Sequence, residues 1–528
     1  MGKEIGIDFG TTTTEVSYID KNGYARAMKL EKGYLIPTVL YFLSEDEYII
    51  GSRAAVNGRI RPEGMVRNFK LFFTDPTKKY KVVAANGDRF TVKPVKAAQL
   101  FLNKLIQIIQ PKLLTEFGEK EGTIDKAVIT VPAQFDPEEK FAVKEAIVKA
   151  ASQAGFSDIK IAAEPTAAAV AYQDENCEDG ESILVYDFGG GTFDVSLICK
   201  LGDIYTEIAT DGDKRLGGNR LTEKIAERLW EFCLDETDRD YPFDEDEADH
   251  YSEEDYELSE DRFICNRNEV FQAAEDMKLE FLEEDEAEQT IRFYFDNDSD
   301  PKLINVEMDL EQFYAIIEPD IQKTVDLTGR VLREAMSRGD VARIDQVVLA
   351  GGSSQIRLIR EKLAENDVLK GLVGVAGESS TLISRGAAKL ASVELKVEEK
   401  TRFEIGTRLI RGARLDLFEP VIRAGEKLPC FGTQVFYLAR QDQNEVTIEY
   451  YEKDVKNYPD AKKIDDEGIN LVSELTIGGI PSLPGLSLEV TFCISADGTP
   501  EVTAKIKDQL GQTVKAEHLT VTKGGNLY

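Results

Sequence analysis

The eight residues at 187–194, Asp-Phe-Gly-Gly-Gly-Thr-Phe-Asp, constrain the fold more than any other stretch of the chain. Apolar runs at 183–186 and 195–198 flank them, so the sequence predicts a strand, a glycine turn and a second strand. Glycine tolerates positive φ and lets backbone N–H groups approach an anion closely. Carboxylates beside bound phosphates hold Mg²⁺ through water or orient an attacking water. Alone, the stretch favours equally a phosphate cradle and a tight hairpin with exposed acids.

The start of the chain repeats this pattern. Asp8-Phe9-Gly10 matches Asp187-Phe188-Gly189, and each triplet lies between two apolar stretches. Threonines at 11–13 follow the first triplet, as Thr192 follows the second. The repeat predicts two similar lobes that face one nucleotide, and chance duplication of so short a string is the minor reading.

Composition narrows the classes of function. A chain of 528 residues is long enough for about three or four domain-sized units. Its 97 acidic and 64 basic residues give a net charge of −33, which argues against nucleic-acid binding. The six cysteines form no Cys-x-x-Cys pair, so neither a zinc site nor a disulfide framework is predicted, and a reducing compartment fits.

Targeting signals and histidines are scarce. The chain passes from Met1 directly into an alternating strand, and no apolar run is long enough to span a bilayer, so we expect a cytoplasmic protein without a membrane partner. Only His250 and His518 are present, which leaves almost no material for histidine catalysis. Any chemistry must use carboxylates, lysine, hydroxyls and metal.

Hydrophobic periodicity places further elements between and after the two glycine turns. It predicts a helix over 94–116, a buried strand over 126–132, a helix over 136–154, an alanine-rich helix over 167–172 and a charged helix over 267–283. Glycines at 217–218 precede a helix and are a candidate phosphate contact. A strand over 344–350 that ends in Gly-Gly-Ser-Ser is a further candidate nucleotide contact. We assign no function to the acidic stretch 235–261.

The pattern of apolar and charged residues changes near residue 391. An alternating apolar and charged segment begins there, and it could pair as an edge strand. Short strands separated by turns follow, predicted at 434–439, 445–451, 486–495, 500–507 and 512–522. We therefore divide the chain into a part of mixed helices and strands at 1–390 that carries the candidate nucleotide contacts, a linker at 391–401 and an all-β domain at 402–528.

Taken together, the motifs resemble those of the DnaK-type heat-shock chaperone family. They occur in the family's order: Gly-Ile-Asp-Phe-Gly-Thr-Thr-Thr at 6–13, Lys70, Val-Pro-Ala at 131–133, Glu-Pro-Thr-Ala-Ala-Ala at 164–169, the loop at 187–194, Leu-Gly-Gly at 216–218, Ala-Glu-Asp-Met-Lys at 274–278 and Gly-Gly-Ser at 351–353. The resemblance implies an α/β actin-like two-lobed ATPase domain with duplicated mixed sheets, followed by an all-β sandwich that binds substrate.

The resemblance also implies roles for individual residues. Asp8, Glu164 and Asp187 would hold hydrated Mg²⁺, and Glu164 would belong to the catalytic group with Lys70, Thr192 and Asp194. Lys70 would position the attacking water, Thr192 would contact the γ-phosphate, and Asp194 would help to activate the water, without any histidine. The implied contacts to ATP or ADP are Gly10, Thr11, Thr12, Thr13, Gly189, Gly190, Gly191, Thr192, Gly217, Gly218, Glu275, Lys278, Gly351, Gly352 and Ser353, and K⁺ is a further candidate cofactor.

Other readings of these residues stay open. Without the resemblance, Lys70 would be interpreted as a surface lysine. Glu275 and Lys278 would be interpreted as an ordinary surface pair. The resemblance places Phe436, Ala439, Val446 and Ile448 in an apolar peptide cleft, and plain sandwich core is almost equally favoured.

Several positions depart from the family pattern. Gln355 replaces an arginine that stacks on adenine, and Leu282 replaces a serine near adenosine, so a looser grip on the base is expected. Lys140 replaces an arginine tied to interdomain signalling, and the linker lacks the family's consecutive leucines. The chain stops at Tyr528, directly after the last predicted strand, so a helical lid is expected to be absent and peptide exchange to be fast.

The leading hypothesis is an ATP-hydrolysing chaperone relative that binds extended apolar segments of unfolded proteins, with a J-domain co-chaperone and a nucleotide exchange factor as candidate partners. The alternative is a nucleotide-dependent assembly protein whose β domain docks one specific partner. A small-molecule kinase of the same superfamily is disfavoured, because it would leave the β domain without a role.

Overall fold

A computed structural model describes most of the chain. It covers residues 3–520 except 74, 76, 120–123, 125, 133–146, 150–151, 153–157, 177–180, 202–203, 236–242, 244–257, 297–299, 339–340, 373–380, 393–395, 399–400, 402, 412–413, 439–442, 456–457 and 496–499. Lys140, Ala439, the helix start predicted at 136 and nearly all of the acidic stretch 235–261 lie outside the described residues. Within that part of the chain, no helix combines the length and apolar character needed to cross a membrane.

Helices and strands alternate through the first three quarters of the chain. The α-helices are α1 (Ser52–Ile60), α2 (Pro94–Phe117), α3 (Glu164–Asn176), α4 (Gly218–Asp235), α5 (Glu260–Glu280), α6 (Leu310–Arg338), α7 (Arg357–Ala364) and α8 (Leu382–Ser392), with 3-10 turns at Pro62–Gly64, Phe69–Phe72 and Gly352–Gln355. The strands among them are β1 (Glu4–Phe9), β2 (Thr13–Ile19), β3 (Ala25–Ala27), β4 (Leu35–Pro37), β5 (Leu40–Phe42), β6 (Tyr48–Ile50), β7 (Met65–Val66), β8 (Tyr80–Val83), β9 (Arg89–Val92), β10 (Lys126–Val131), β11 (Asp158–Ala163), β12 (Ser182–Phe188), β13 (Phe193–Leu201), β14 (Ile204–Asp213), β15 (Glu286–Phe293), β16 (Lys302–Asp309), β17 (Gln346–Ala350) and β18 (Lys396–Glu398).

In the last quarter, the helices and strands of the described residues are all strands. They are β19 (Glu404–Arg411), β20 (Arg414–Ile422), β21 (Cys430–Tyr437), β22 (Glu445–Lys453), β23 (Ile469–Gly478), β24 (Ser487–Ile494), β25 (Pro500–Lys507) and β26 (Thr513–Thr520). The predicted switch from mixed to all-β structure is therefore confirmed, and β19, β20 and β23 are strands that the sequence pattern did not reveal.

Two sheets of the α/β part share one topology. In the first, β1 pairs in parallel with β10 and antiparallel with β2, which in turn pairs with β3. In the second, β12 pairs in parallel with β17 and antiparallel with β13, which in turn pairs with β14. The matching order confirms the duplication that the repeated Asp-Phe-Gly predicts, and the two hairpins β1–β2 and β12–β13 are its equivalent parts.

Two helices rich in small residues pack between these sheets. The buried core around α3 and α8 contains Ala167 to Ala171 and apolar residues from both sheets, including Val128 and Val185. A side chain at Gly6 of β1 would overlap the backbone of α8, and one at Gly386 of α8 would overlap the Ala167 carbonyl of α3. These close approaches exclude any larger residue, so the crossing of α3 and α8 fixes how the two lobes meet.

Larger side chains fill the outer faces of the lobes. On the first lobe, β1 presents Ile5, Ile7 and Phe9 to α2, which contributes Phe101 and Leu105 to the same core. The α2 helix confirms the prediction over 94–116, and Gly118 ends it in the left-handed conformation with φ 68°. Helix α3 begins at Glu164 itself, three residues before the predicted alanine run, so an acid stands in its first turn.

The linker forms a short edge strand. β18 pairs in parallel with β14, with Ile204 opposite Lys396 and Thr206 opposite Glu398. The prediction that this alternating segment can pair as an edge strand is therefore confirmed for 396–398. The segment extends the sheet of the second lobe and carries the chain toward the all-β part.

The all-β part is a sandwich of two antiparallel sheets. Their strand orders are β20-β19-β22-β23 and β21-β24-β25-β26. Alternate residues of β24 and β25 are buried, among them Val490, Phe492, Val502 and Ala504, and these residues lie in the core between the sheets. The period-two burial is the pattern expected when each sheet has one face toward a core and one toward water.

We expect Gly386→Ala to lower the free energy of unfolding by about 1–3 kcal/mol, because the new methyl group forces α3 and α8 apart in a close-packed core. The matched control is Gly33→Ala, where an added Cβ meets open space. Urea denaturation followed by circular dichroism measures both variants. Equal midpoints for the two would contradict the tight crossing.

Candidate functional site

Four carboxylates converge where the two lobes meet. Asp187 near the end of β12 stands directly opposite Asp194 in β13. Asp8 occupies the equivalent place in β1, and Glu164 starts α3. Glu164, Asp187 and Asp194 are buried and Asp8 is half-buried. The duplicated hairpins thus bring together three acids that lie far apart in the sequence, and α3 adds the fourth.

The carboxylates of this cluster repel one another, which raises the pKa of two of them. Burial and, secondly, the charge of Glu164 raise the pKa of Asp8 to about 7. Burial and the charges of Glu164, Asp194 and Asp8 raise the pKa of Asp187 well above its usual value. The Oδ2 atom of Asp187 is buried and has no hydrogen-bond partner among the described residues. A buried carboxylate oxygen without a donor fits a cationic ligand or its bound water.

Lys70 is the protein's own cation at this place. It lies in the 3-10 turn Phe69–Phe72, which Asn68 introduces in the left-handed conformation with φ 57°. Its Nζ donates to the Phe9 carbonyl and, over 2.9 Å, to Glu164 Oε1. Only 3% of Lys70 is exposed, so the reading of this residue as a surface lysine is wrong. The ammonium is held between the first glycine turn and the carboxylates.

Glycines of the second lobe pack closely against threonines of the first lobe beside the acids and form a cradle with them. A side chain at Gly190 would overlap Thr12, and one at Gly191 would lie 2.9 Å from Thr11 Oγ1. A Cβ at Gly217 would lie 2.7 Å from the Gly190 carbonyl oxygen. The predicted turns at 10–13, 189–192 and 217–218 are therefore neighbours, and their backbones approach as only glycine permits.

The predicted turn at 351–353 contacts the same cradle. Gly218 N donates to the Gly189 carbonyl over 2.9 Å, and Ser353 Oγ donates to the same carbonyl over 3.1 Å. Gly351 has φ 79° and lies against Phe188, so glycine is required there. An added Cβ at Gly352 would meet nothing within 4 Å. The turn at 351–353 thus closes the cradle with open space beside Gly352.

Glu275 and Lys278 pack behind the glycine cradle and are therefore not an ordinary pair of surface side chains. Lys278 is buried, and its Nζ donates to Glu275 Oε2 over 2.7 Å and to Thr222 Oγ1 over 2.7 Å. The same ammonium reaches the Gly218 carbonyl at 3.2 Å. Helix α5 is thereby connected to the start of α4 directly behind the glycine turn.

The positions that depart from the family pattern lie on this side as well. Leu282 is partly buried and packs against the core of the second lobe. Gln355 ends the turn Gly352–Gln355 and is half-buried. Leu279, on the exposed face of α5, adds an apolar side chain near these elements. Leu279 and Leu282 offer apolar contact, and Gln355 offers an amide group. None of these three side chains is a cation.

The residues predicted for a peptide cleft lie in the sandwich core. Ile448 is buried, and Phe436 and Val446 are partly buried against the same core. Ala439 is outside the described residues. Phe436 from one sheet and Val446 and Ile448 from the other therefore face the same core, and this packing agrees with a core role as well as with a cleft.

Sequence reasoning missed Glu15 and Thr130. Glu15 pairs with Asp8 across β1–β2, as Asp194 pairs with Asp187 across β12–β13. Burial and the charge of Asp8 raise the pKa of Glu15 to about 9, while a hydrogen bond from Ser384 opposes the shift. Thr130 Oγ1 donates to Asp8 over 3.2 Å. The equal spacing within the two hairpins is the sequence signal that would have identified Glu15.

A direct metal cage is absent from the described residues. No three His, Cys, Asp or Glu side chains in that part of the chain are close enough to coordinate one metal ion together. Mg²⁺ commonly keeps several waters and is bound through one or two carboxylates and substrate phosphates. The buried acids beside a glycine cradle fit that mode of binding.

Two duplicated lobes that close glycine turns over one carboxylate cluster, followed by a β-sandwich, define the class of actin-like ATPase folds with an appended β-sandwich. The family model described as Hsp70 protein matches residues 4–527. The chain therefore belongs to the Hsp70 family. Hsp70 proteins in general are ATP-binding chaperones and ATPases that use Mg²⁺ and bind unfolded polypeptides and co-chaperones.

We expect Glu15→Gln to flatten the dependence of stability on pH in the nucleotide-free and metal-free protein. A carboxyl group whose pKa rises on folding, here from 4.5 to about 9, favours the folded state at low pH. That stability is lost as the pH rises through this window, and glutamine has no proton to lose. Thermal melting at a series of pH values in the presence of a chelator measures the slope.

Glu288→Gln, on the exposed face of β15, is the matched control for this substitution. Its melting temperature should follow that of the parent at each pH. Parallel curves for Glu15→Gln and the parent across neutral and alkaline pH would show that Glu15 does not carry a raised pKa.

Proposed function

We propose that the chain is an Hsp70 chaperone that hydrolyses ATP between its two lobes and binds extended apolar segments of unfolded proteins in its β-sandwich. The proposal takes 1–390 as the ATPase domain, 391–401 as the linker and 402–528 as the substrate-binding domain. The observation that carries it is the buried group of four acids with Lys70 beside the glycine cradle. This combination suits phosphoryl transfer, which needs charge neutralisation and positioning.

Asp8, Glu164 and Asp187 would hold a hydrated Mg²⁺ ion. Their pairwise repulsion and the unpartnered Asp187 oxygen support this assignment. When bound, the ion would neutralise charge on the β- and γ-phosphates of ATP. Thr130, which donates a hydrogen bond to Asp8, would fix the orientation of that carboxylate.

Lys70 and Asp194 would act on the attacking water. Lys70 is tethered on one side to the Phe9 carbonyl and on the other to Glu164, so its ammonium is fixed in place. In hydrolysis the water oxygen forms a bond to the γ-phosphorus, and the bond to the bridging oxygen breaks to release ADP. Asp194 would accept hydrogen bonding from the water, and Thr192 would contact the γ-phosphate.

The nucleotide would lie along the remaining predicted residues. The turns at 10–13, 189–191 and 217–218 would surround its phosphates, with Glu275, Lys278 and the turn at 351–353 around the adenosine. Gln355 and Leu282 replace the arginine and the serine of the family pattern. The adenosine side of the site is therefore less polar, and we expect adenine to be bound more weakly. A K⁺ ion beside the phosphates is part of the same proposal.

The linker offers a route for coupling the two domains. β18 adds to β14, whose other edge pairs with β13, the strand that carries Asp194. A change of lobe geometry around bound nucleotide could therefore alter the pairing of the linker strand. Stimulation of hydrolysis by an apolar peptide would demonstrate this coupling. A J-domain co-chaperone and a nucleotide exchange factor are the proposed partners, and fast peptide exchange is the proposed kinetic regime.

We expect Lys70→Ala to reduce single-turnover hydrolysis by roughly 100-fold or more, in the range that follows loss of one electrostatic contact in an active site. Binding of a fluorescent ATP analogue should change by only a few fold, since the phosphates keep their glycine contacts. Lys81→Ala, at an exposed position in β8, is the control. Hydrolysis at the parent rate in Lys70→Ala would show that this lysine has no part in the reaction.

A labelled apolar peptide should bind to the full chain in the micromolar range, and ATP should weaken that binding. Val446→Ala should weaken it further, because the substitution removes apolar surface at the proposed cleft. Fluorescence anisotropy with and without ATP measures both effects. Absence of binding both with and without ATP would contradict the chaperone proposal. It would favour a β domain that docks one specific partner.

A further inference from the structure

The turn that carries Lys70 is anchored in the first lobe. Phe69, the residue before Lys70, is fully buried in the core of that lobe, and its ring centroid lies 6.3 Å from that of Phe9. The Leu71 N–H donates to the Asn68 carbonyl over 3.2 Å and closes the turn. These contacts fix the base of the turn and leave Asn68 half-buried at its start.

Asn68 adopts a backbone conformation that most side chains avoid. Its φ of 57° and ψ of 19° lie in the left-handed region, and among the described residues other than glycine only Asp416 shares a positive φ. Asparagine tolerates this region because its short polar side chain can form hydrogen bonds close to the backbone. The left-handed residue starts the turn, so Lys70 follows it at a fixed distance of two residues.

The side chain of Asn68 contacts the second lobe. Asn219 Nδ2 donates to Asn68 Oδ1 over 3.4 Å. Asn219 is the second residue of α4, and its backbone N–H donates to the Gly190 carbonyl over 2.7 Å. One asparagine therefore belongs to the turn that carries Lys70, and the other is bonded to the glycine turn of the opposite lobe.

The other partners of Lys70 lie in the first lobe. Its ammonium donates to the Phe9 carbonyl at the end of β1 and to Glu164 at the start of α3. Neither contact relates Lys70 to the glycines of the second lobe. The hydrogen bond between Asn68 and Asn219 supplies that relation across the cleft.

We propose that Asn68 and Asn219 are positioning residues for hydrolysis, because their hydrogen bond sets the place of the Lys70 ammonium relative to the phosphates that the second lobe would hold. The inference rests on the proposed role of Lys70 and adds two residues to it. A misplacement of about 1 Å in an active site can cost roughly 100-fold in rate. A contact that fixes one lobe against the other therefore affects the reaction even though it acts through Lys70.

Two substitutions remove the hydrogen bond with little other change. Asn68→Gly keeps the left-handed conformation without strain, and Asn219→Ala keeps the backbone N–H that donates to Gly190. Each should lower the single-turnover rate of ATP hydrolysis by about tenfold, and each should change the Kd of a fluorescent ATP analogue by less than about threefold. The matched control is Asn305→Ala, at an exposed position in β16, which should hydrolyse ATP at the parent rate.

A rate within about twofold of the parent in either single variant would overturn the inference. The double variant provides a second criterion, because the two side chains act through one hydrogen bond. Its rate should be no lower than that of the slower single variant. A loss equal to the product of the two single losses would show that the asparagines act independently, and the inference would fail.

The route through Lys70 is tested by combining Asn219→Ala with Lys70→Ala. The combined variant should hydrolyse ATP no more slowly than Lys70→Ala, because the lysine that the hydrogen bond positions is already missing. A further loss of about tenfold would overturn the positioning role. Failure of the proposed role of Lys70 would appear separately, in the comparison of the parent with Lys70→Ala, where both asparagines are intact.

Hydrogen exchange in the nucleotide-free protein tests the contact without using activity. The Leu71 N–H is protected by the hydrogen bond that closes the turn, so its exchange reports on opening of the turn. Asn219→Ala should speed this exchange by at least about fivefold, and Asn305→Ala should leave it unchanged. Equal exchange in the parent and Asn219→Ala would show that the second lobe does not hold the turn, which would overturn the inference.

Discussion

The gathering of four acids and one lysine in a buried cleft is the interaction on which the rest of this structure depends. Like charges removed from water repel strongly, and burial together with the neighbouring carboxylates raises the pKa of Asp8 and Asp187. A fold that accepts this cost needs a compensating cation, and Lys70 provides one through its ion pair with Glu164. A divalent cation bound together with the nucleotide would relieve the remaining negative charge. The stability of the cleft and its capacity to bind nucleotide therefore have the same electrostatic origin.

Duplication explains how the chain assembles such a cluster. Each lobe places an acid at the end of a strand next to a glycine turn, and the crossing of α3 and α8 holds the two lobes face to face. Small residues at the crossing are essential, since the helix backbones approach too closely for larger side chains. The same second-lobe sheet extends through β14 to the linker strand. One continuous set of backbone hydrogen bonds thus connects the hairpin of Asp194 with the segment that leads to the β-sandwich.

Particular residues show how far the sequence alone could go. The loop at 187–194 and its copy at the start of the chain predicted two hairpins, because a glycine turn between apolar runs is a local feature of the sequence. Lys70 could not be placed by pattern, since its position depends on a 3-10 turn and on partners such as Glu164 that are distant in sequence. Glu15 escaped notice for a different reason: a single acid in a strand looks solvent-facing until the register with Asp8 is known. Phe436, Val446 and Ile448 remain open to both readings, because alternation marks a face as apolar without saying what covers it.

The sequence by itself determined the class of fold, the duplicated hairpins, the change to an all-β part and the family to which the chain belongs, because these follow from local periodicity, turn chemistry and motif order. Tertiary structure alone decided which acids share one buried volume, that Lys278 is an interior residue and that β21 and β26 form the two edges of their sheet. Burial, electrostatic coupling and edge exposure are properties of neighbours in space. Chain order does not encode them directly, so they become visible only when the elements are packed together.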